Sequence, residues 1–473
     1  MMHESNLVMT AGISGHRLWS RVFFVFLAAA YLASFRMSYV NDTSAIFSYM
    51  GLTYSEPSIG ANVAIWILTL VPAGFLGLRL KQPSDFILIL LYICVYVPSI
   101  SVPFFIRLRS EMDVLLLDVT LFAGLMVMIL MLQSKARKYR FVTRDKRTFW
   151  VVLWALYIAF AVWIIAVFGS SLRFVAPTDV YTSGVRFGSR EIFAQSKVGF
   201  AVMMMFGSVN PLFISLGLQH RRKLLVLAGI CGQLLCYCTG GLKSIMFSLI
   251  ILFVLHSIIR RNMRRAAHAM VVMSIALVLS CHLIAVKAGT KDVTTIMVDG
   301  IVSRILVIPG QLTAEYHDFF IHRPHLYLAN IKPFSWVVKN PFDQDVILVV
   351  GEYYGGIAGV TSNAHLWAED GIANFGLVGI IVVSALAGGV LRIVNRISAR
   401  HDPCFATMAF SFAGFHLSNA PLSTALFSGG VMLSMLLLLL AHPQKIYVGV
   451  GEGTGRKRED QDEHEDASGG ELR

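Results

Sequence analysis

Runs of about twenty apolar residues, separated by short polar linkers, recur along most of the chain. They lie near residues 19–38, 58–78, 85–104, 114–133, 149–169, 197–217, 223–239, 244–259, 267–286, 374–394, 403–418 and 422–441. A helix of that length matches the hydrocarbon thickness of a bilayer. The pattern therefore predicts about twelve membrane-spanning helices, those at 223–239, 244–259 and 403–418 being short. Backbone groups in lipid must be satisfied within the segment, so the expected fold class is all-α and polytopic. The first run follows Arg17 and Arg21 and holds small residues over Ala28–Ala33, as a signal peptide would. It continues past Ala33, which favours an uncleaved helix.

Composition agrees with the pattern. Of 473 residues, 56% are hydrophobic and 14% charged, too little polar surface for a soluble enzyme, a disordered chain or a secreted disulfide scaffold. Residues 1–441 read as one integral membrane domain. The tail from 442 to 473 passes from basic (Arg456 to Arg458) to acidic (Glu459 to Asp466), with glycine and serine, and reads as a disordered cytoplasmic end. The six cysteines all fall within apolar runs, where buried thiols are expected rather than a disulfide framework or a zinc site.

The net charge of +12 refines the topology. Its cations cluster in alternate linkers, around 79–81, 135–147, 221–223, 260–265 and 392–400. Clustering of that kind marks cytoplasmic loops and puts both termini inside. No basic stripe interleaved with aromatics appears, so nucleic acid is not an expected partner. On the outer side the loop at 170–196 is of medium length, and the loop at 287–373 is by far the longest, rich in aromatics and expected to contain short helices. No internal repeat relates the two halves, unlike many transporters.

Several outer residues could carry chemistry. Arg173, Arg186 and Arg190 lie in the third outer loop, and Lys243 in the tiny turn Thr239-Gly-Gly-Leu-Lys-Ser244. Arg304 interrupts the apolar stretch from Ile301 to Ile308. Cations in such places are costly unless they meet an anion or a polar cavity. Together they suggest a lipid phosphate, whose oxygens a guanidinium binds in pairs. In Thr361-Ser-Asn-Ala-His-Leu-Trp-Ala-Glu-Asp-Gly371, Ser362 or Asn363 is suited to cap a helix. His365 and Glu369 would then share a face, letting the carboxylate orient the imidazole as a general base, while Asp370 points elsewhere. Asp343-Gln-Asp345 is a weak candidate for holding a metal, and Asp118 stands without an evident partner inside its span. Neither a phosphate-binding glycine loop nor a His-Glu-x-x-His pair is present.

This layout resembles the bacterial O-antigen polymerase (Wzy-type) and O-antigen ligase superfamily of membrane glycosyltransferases. The likeness rests on the Thr239–Ser244 turn with its basic Lys243, on Arg304 followed by Pro309-Gly310, and on His365 followed by Gly376 and Gly379. Arg173 with Gly184 is similar to an arginine–glycine spacing of some polymerases. The chain departs from the ligase pattern at Leu366 and at Gly379. The resemblance implies a GT-C-like fold in the bacterial inner membrane. It implies transfer of a glycan from a polyprenyl diphosphate to a sugar hydroxyl of another lipid-linked repeat unit on the periplasmic face. Arg304 and Lys243, with Arg173, Arg186 and Arg190, would hold the diphosphate. His365 would act as base, with Glu369 and Asp370 beside it. No metal or cofactor is expected, and the partners are the lipid-linked donor and acceptor, the bilayer and a chain-length regulator. The alternatives are a ligase-type transferase, or a flippase or exporter of lipid-linked oligosaccharide.

Overall fold

The computed structural model describes residues 2–133, 146–176, 189, 192–193, 195–331 and 334–442, with side chains from Leu18 onward. All of the expected tail (442–473) but His442, and Arg186 and Arg190, lie outside the described residues. The described chain is all-helical and polytopic. In order, the helices are α1 (Leu18–Ile46), α2 (Ile59–Ala73), α3 (Pro83–Ile106), α4 (Glu111–Gln133), α5 (Arg147–Ser171), α6 (Val198–Gln219), α7 (Lys223–Cys238) and α8 (Lys243–Asn262). Then come α9 (Ala266–Ala288), α10 (Val293–Leu306), α11 (Ile308–Ile321), α12 (Val346–Gly355), α13 (Trp367–Ser398), α14 (Pro403–Ala409), α15 (Ser411–Asn419) and α16 (Leu422–Leu440).

Among the described residues, nine helices are long and apolar enough to cross a membrane, or ten if the pair α10 and α11 is one bent span. This falls short of the expected twelve for local reasons. α2 ends soon after Pro72, and α7 is also a shorter apolar helix. The run at 403–418 is broken at Phe410, leaving α14 and α15. In the other direction, α10 and α11 arise within the stretch read as outer loop. They are bent by 56° at Val307, two residues ahead of Pro309, whose missing N–H and ring favour a helix start.

α3 is the centre of the bundle, with 94% of its apolar window buried, whereas α5 has only 17% and presents its other side chains outward, as lipid-facing helices do. α3 starts with a capping box between Gln82 and Asp85 and with Pro83 in its first turn. Its interior Pro98 follows a wide π-turn at Tyr92–Tyr96, and Pro211 of α6 likewise follows the π-turn Met205–Val209. A π-turn admits an extra residue and so absorbs the amide hydrogen that proline lacks. α4 packs along α13, α6 against α7, α11 against α3 and α1 against α9.

α13 is not straight. Phe375 and Gly376 leave helical geometry, and Gly376 takes a φ of +59°, which a side chain would strain. The Trp367 indole donates to Ser384 Oγ at 2.9 Å. In a straight helix those residues would stand about 25 Å apart. The chain therefore doubles back at Gly376: 367–374 form a short arm folded onto the span proper, 377–398. A Cβ on Gly379 would lie 2.0 Å from the carbonyl oxygen of Gly371, so the two backbones touch where only glycine fits.

Candidate functional site

Two interrupted helices meet inside the bundle. The arm of α13 is preceded by His365, which is wholly buried, and its Nε2 lies 2.9 Å from Thr313 Oγ1 and 3.1 Å from the Pro309 carbonyl, both on α11. Thr313 also donates to the Pro309 carbonyl at 2.8 Å and lies 2.7 Å from Ser99 Oγ of α3. Ser99 stands roughly 10 Å along the helix from its end at Ile106. The site thus lies within the bundle, not at its outer rim. The other His365 nitrogen, Nδ1, has no hydrogen-bond partner among the described residues.

The expected His365–Glu369 pairing does not occur as drawn. The Glu369 amide does donate to the His365 carbonyl at 3.0 Å, but the imidazole Nε2 is turned to Thr313 and Pro309 of α11. The Glu369 carboxylate instead reaches back to the Ala364 amide at 3.4 Å, in the manner of a capping box. Ser362 does not cap the helix either; its hydroxyl and amide both donate to the Ile347 carbonyl. Asp370 is buried rather than facing water, and its carboxylate accepts from the Leu422 amide at the start of α16. An anion there satisfies an orphan amide and complements the helix dipole.

Arg304 is exposed on α10, a little over one turn ahead of Pro309, so it belongs to the bend that His365 grips. Lys243 begins α8, and exposed Arg173 joins the same turn: its amide donates to the Cys238 carbonyl at 3.3 Å, and Tyr237 donates to the Val175 carbonyl at 2.6 Å. The five expected cations thus fall into a pair at the α7–α8 turn, Arg304 at the α10–α11 bend, and two outside the described residues. Asp345 is the N-cap residue of α12, and no group of three or more His, Cys, Asp or Glu side chains gathers as a metal site among the described residues.

Sequence reasoning missed several polar groups. Thr313 and Ser99 are hydroxyls among apolar neighbours, and nothing local tells them from ordinary helix-facing residues. Arg109 and Asp318 pair at 2.5 Å, and the Tyr354 hydroxyl donates to the same carboxylate. Tyr354 is raised above its ordinary pKa, first by burial and then by that bond. Arg323 lies over the rings of Phe319 and Tyr353, 4.2 and 4.6 Å from their centres, a cation–π arrangement. Asp118 is fully buried in α4, and neither of its oxygens has a hydrogen-bond partner among the described residues. Buried acids within spans are costly and are the usual mark of function in membrane proteins.

Comparison of the chain with protein-family profiles, with curated proteins and with solved structures gives no match. What the helices establish is a multi-pass membrane protein.

Proposed function

We propose that the chain is a membrane glycosyltransferase of the repeat-unit polymerase kind. In this reading it joins polyprenyl-diphosphate-linked oligosaccharides into a surface polysaccharide on the periplasmic face of the inner membrane. The observation that carries the reading is the α10–α11 bend, which bears Arg304 on one limb and binds His365 through Thr313 and Pro309 on the other. Such a transferase needs a cation where charge collects on the leaving diphosphate and a base near the attacking hydroxyl. In the same reading Lys243 and Arg173, at the α7–α8 turn, are assigned further positive charge for the lipid diphosphate. The acceptor hydroxyl attacks the anomeric carbon, a carbon–oxygen bond forms, and the bond to the diphosphate breaks with its electron pair. Direct displacement inverts the anomeric centre. A GT-C-like architecture and a chain-length regulator as partner belong to the same reading.

In cells that depend on this chain for their surface polymer, Arg304→Ala is expected to leave single repeat units with the protein still inserted. Wild-type chain length in that variant removes Arg304 from the site and the transferase reading with it. A second reading, an exporter of lipid-linked oligosaccharide, is favoured by one observation: interrupted helices meeting at depth beside buried carboxylates are how many transporters build substrate sites. It predicts that the same variant accumulates unflipped units on the cytoplasmic leaflet instead.

A further inference from the structure

We infer that His365 carries its proton on Nε2 and keeps its lone pair on Nδ1, with Thr313 as the positioning residue that sets this tautomer, so that Nδ1 accepts a hydrogen bond from a hydroxyl-bearing ligand. The assignment follows from which partners can donate. The Pro309 carbonyl, 3.1 Å from Nε2, only accepts. A lone pair on Nε2 would face that oxygen without a hydrogen between them. Thr313 spends its own hydrogen on the same carbonyl, at 2.8 Å, the back-bond that threonine commonly makes within a helix. Its oxygen is then an acceptor, at 2.9 Å from Nε2. The Ser99 hydroxyl, 2.7 Å from Thr313 Oγ1, donates into the remaining lone pair. The four groups are mutually consistent only with hydrogen on Nε2.

Nδ1 then holds a lone pair that meets no donor among the described residues, on a side chain of zero exposure. An acceptor buried without a donor loses its hydration with nothing in return. The fold around it is fixed by Trp367 bound to Ser384 and by the touching glycines of the α13 hairpin, so the ring cannot turn away without breaking both bonds at Nε2. A hydroxyl is a complementary group, because it donates one hydrogen and remains neutral. The role as proton acceptor in transfer rests on the transferase reading. In that step the O–H bond of the acceptor sugar breaks and an Nδ1–H bond forms. The oxygen bonds to the anomeric carbon, and the proton leaves with the released diphosphate. The tautomer itself rests on the hydrogen bonds alone.

The test uses the full chain, labelled with ring-15N histidine, in lipid bilayers. Solid-state NMR distinguishes a protonated from an unprotonated ring nitrogen, and the His365 signals are identified by their loss in His365→Gln. Should that variant fail to fold, the small shift produced by Thr313→Ser identifies them instead. The expected spectrum has Nε2 protonated and Nδ1 unprotonated; hydrogen on Nδ1 overturns the inference. In polymer-forming cells Thr313→Ser is expected to keep its product. Thr313→Val, equal in shape but unable to accept from Nε2, is expected to lose roughly tenfold to a hundredfold. Equal activity of the valine and serine variants removes Thr313 as a positioning residue. Full-length polymer from His365→Ala, with Nε2 protonated as assigned, refutes the base role in the transferase reading and leaves the tautomer standing. Loss of polymer in His365→Ala together with hydrogen on Nδ1 overturns the tautomer and Nδ1 as the accepting atom, and leaves His365 needed for the transferase reading.

Discussion

The Nδ1 atom of His282 lies 2.8 Å from the Asp42 carboxylate, joining α9 to the π-turn at the end of α1 across most of the first half of the chain. Ser38 donates to the same carboxylate at 3.2 Å. One residue away, the Cys281 thiol donates to Asp299 of α10 at 3.3 Å, and Thr43 donates to that oxygen at 3.5 Å. A single polar seam thus ties α1, α9 and α10. The pair is nearly closed to solvent, with Asp42 3% and His282 19% exposed, so each partner left alone is costly. Asp42→Asn and His282→Gln are each expected to lower stability. The double variant should cost less than the sum by about 0.5–3 kcal/mol in a micelle unfolding cycle. Strict additivity would show that the two groups do not interact.

The bend between α10 and α11 has a topological consequence. If the pair enters and leaves on one side, the segments before and after it share a compartment; a single bent span separates them. The charge clusters at 260–265 and 392–400 both mark cytoplasmic ends, and an even number of crossings must lie between them. α9 and the span proper of α13 already supply two, so the pair is expected to be re-entrant. Thr290→Cys and Ser335→Cys should both react with a membrane-impermeant thiol reagent added from outside. Reaction of Thr290→Cys alone would make the pair a true span.

The hairpin in α13 depends on backbone contact. A Cβ at Gly379 meets the Gly371 carbonyl at 2.0 Å, and a backbone atom cannot swing aside as a side chain can. Gly379→Ala is expected to destabilise the protein by about 1–3 kcal/mol and to free Trp367 from Ser384. Tryptophan fluorescence and thermal unfolding in detergent read the two effects. An unchanged midpoint with unchanged Trp367 emission would mean that the arm does not pack as described.

At the other end of the molecule, His401 is buried between α13 and α14, with Nε2 3.0 Å from the Leu438 carbonyl. Burial, with a smaller contribution from neighbouring Arg400, lowers its pKa to about 4. A histidine with a depressed folded pKa is held neutral by the fold. Below its ordinary value of about 6.5 the unfolded chain takes up a proton that the folded chain refuses, so stability falls as pH drops from about 6.5 to about 4. The full effect is about 3 kcal/mol. His401→Gln should lessen the loss across that window, read as the unfolding midpoint against pH. An unaltered slope would show that His401 is not the group responsible.

How much of this was legible in the sequence differs from element to element. The run at 85–104 predicts α3 to within two residues at each end, because a mostly apolar stretch between a proline-led start and polar Arg107 leaves a helix little choice. The stretch 293–321 reads as short helices of an outer loop rather than as a span, because Asp299, Arg304, Glu315, His317 and Asp318 lower its local hydropathy. The fold buries Asp299 against Cys281 and half-buries Asp318 against Arg109, partners that no local window contains, and pairs buried Glu315 with Gln311 one turn before it. The motif reading singled out His365, Gly376 and Gly379 as one spacing. Only the reversal at Gly376 shows why the glycines are needed, and only the meeting with α11 shows that His365 answers to Thr313 rather than to Glu369. Apolar run length is a local property and fixed the helical, membrane-embedded character of this chain. Which polar groups share a hydrogen bond is decided by helices packing across hundreds of residues, and that belongs to the tertiary structure alone.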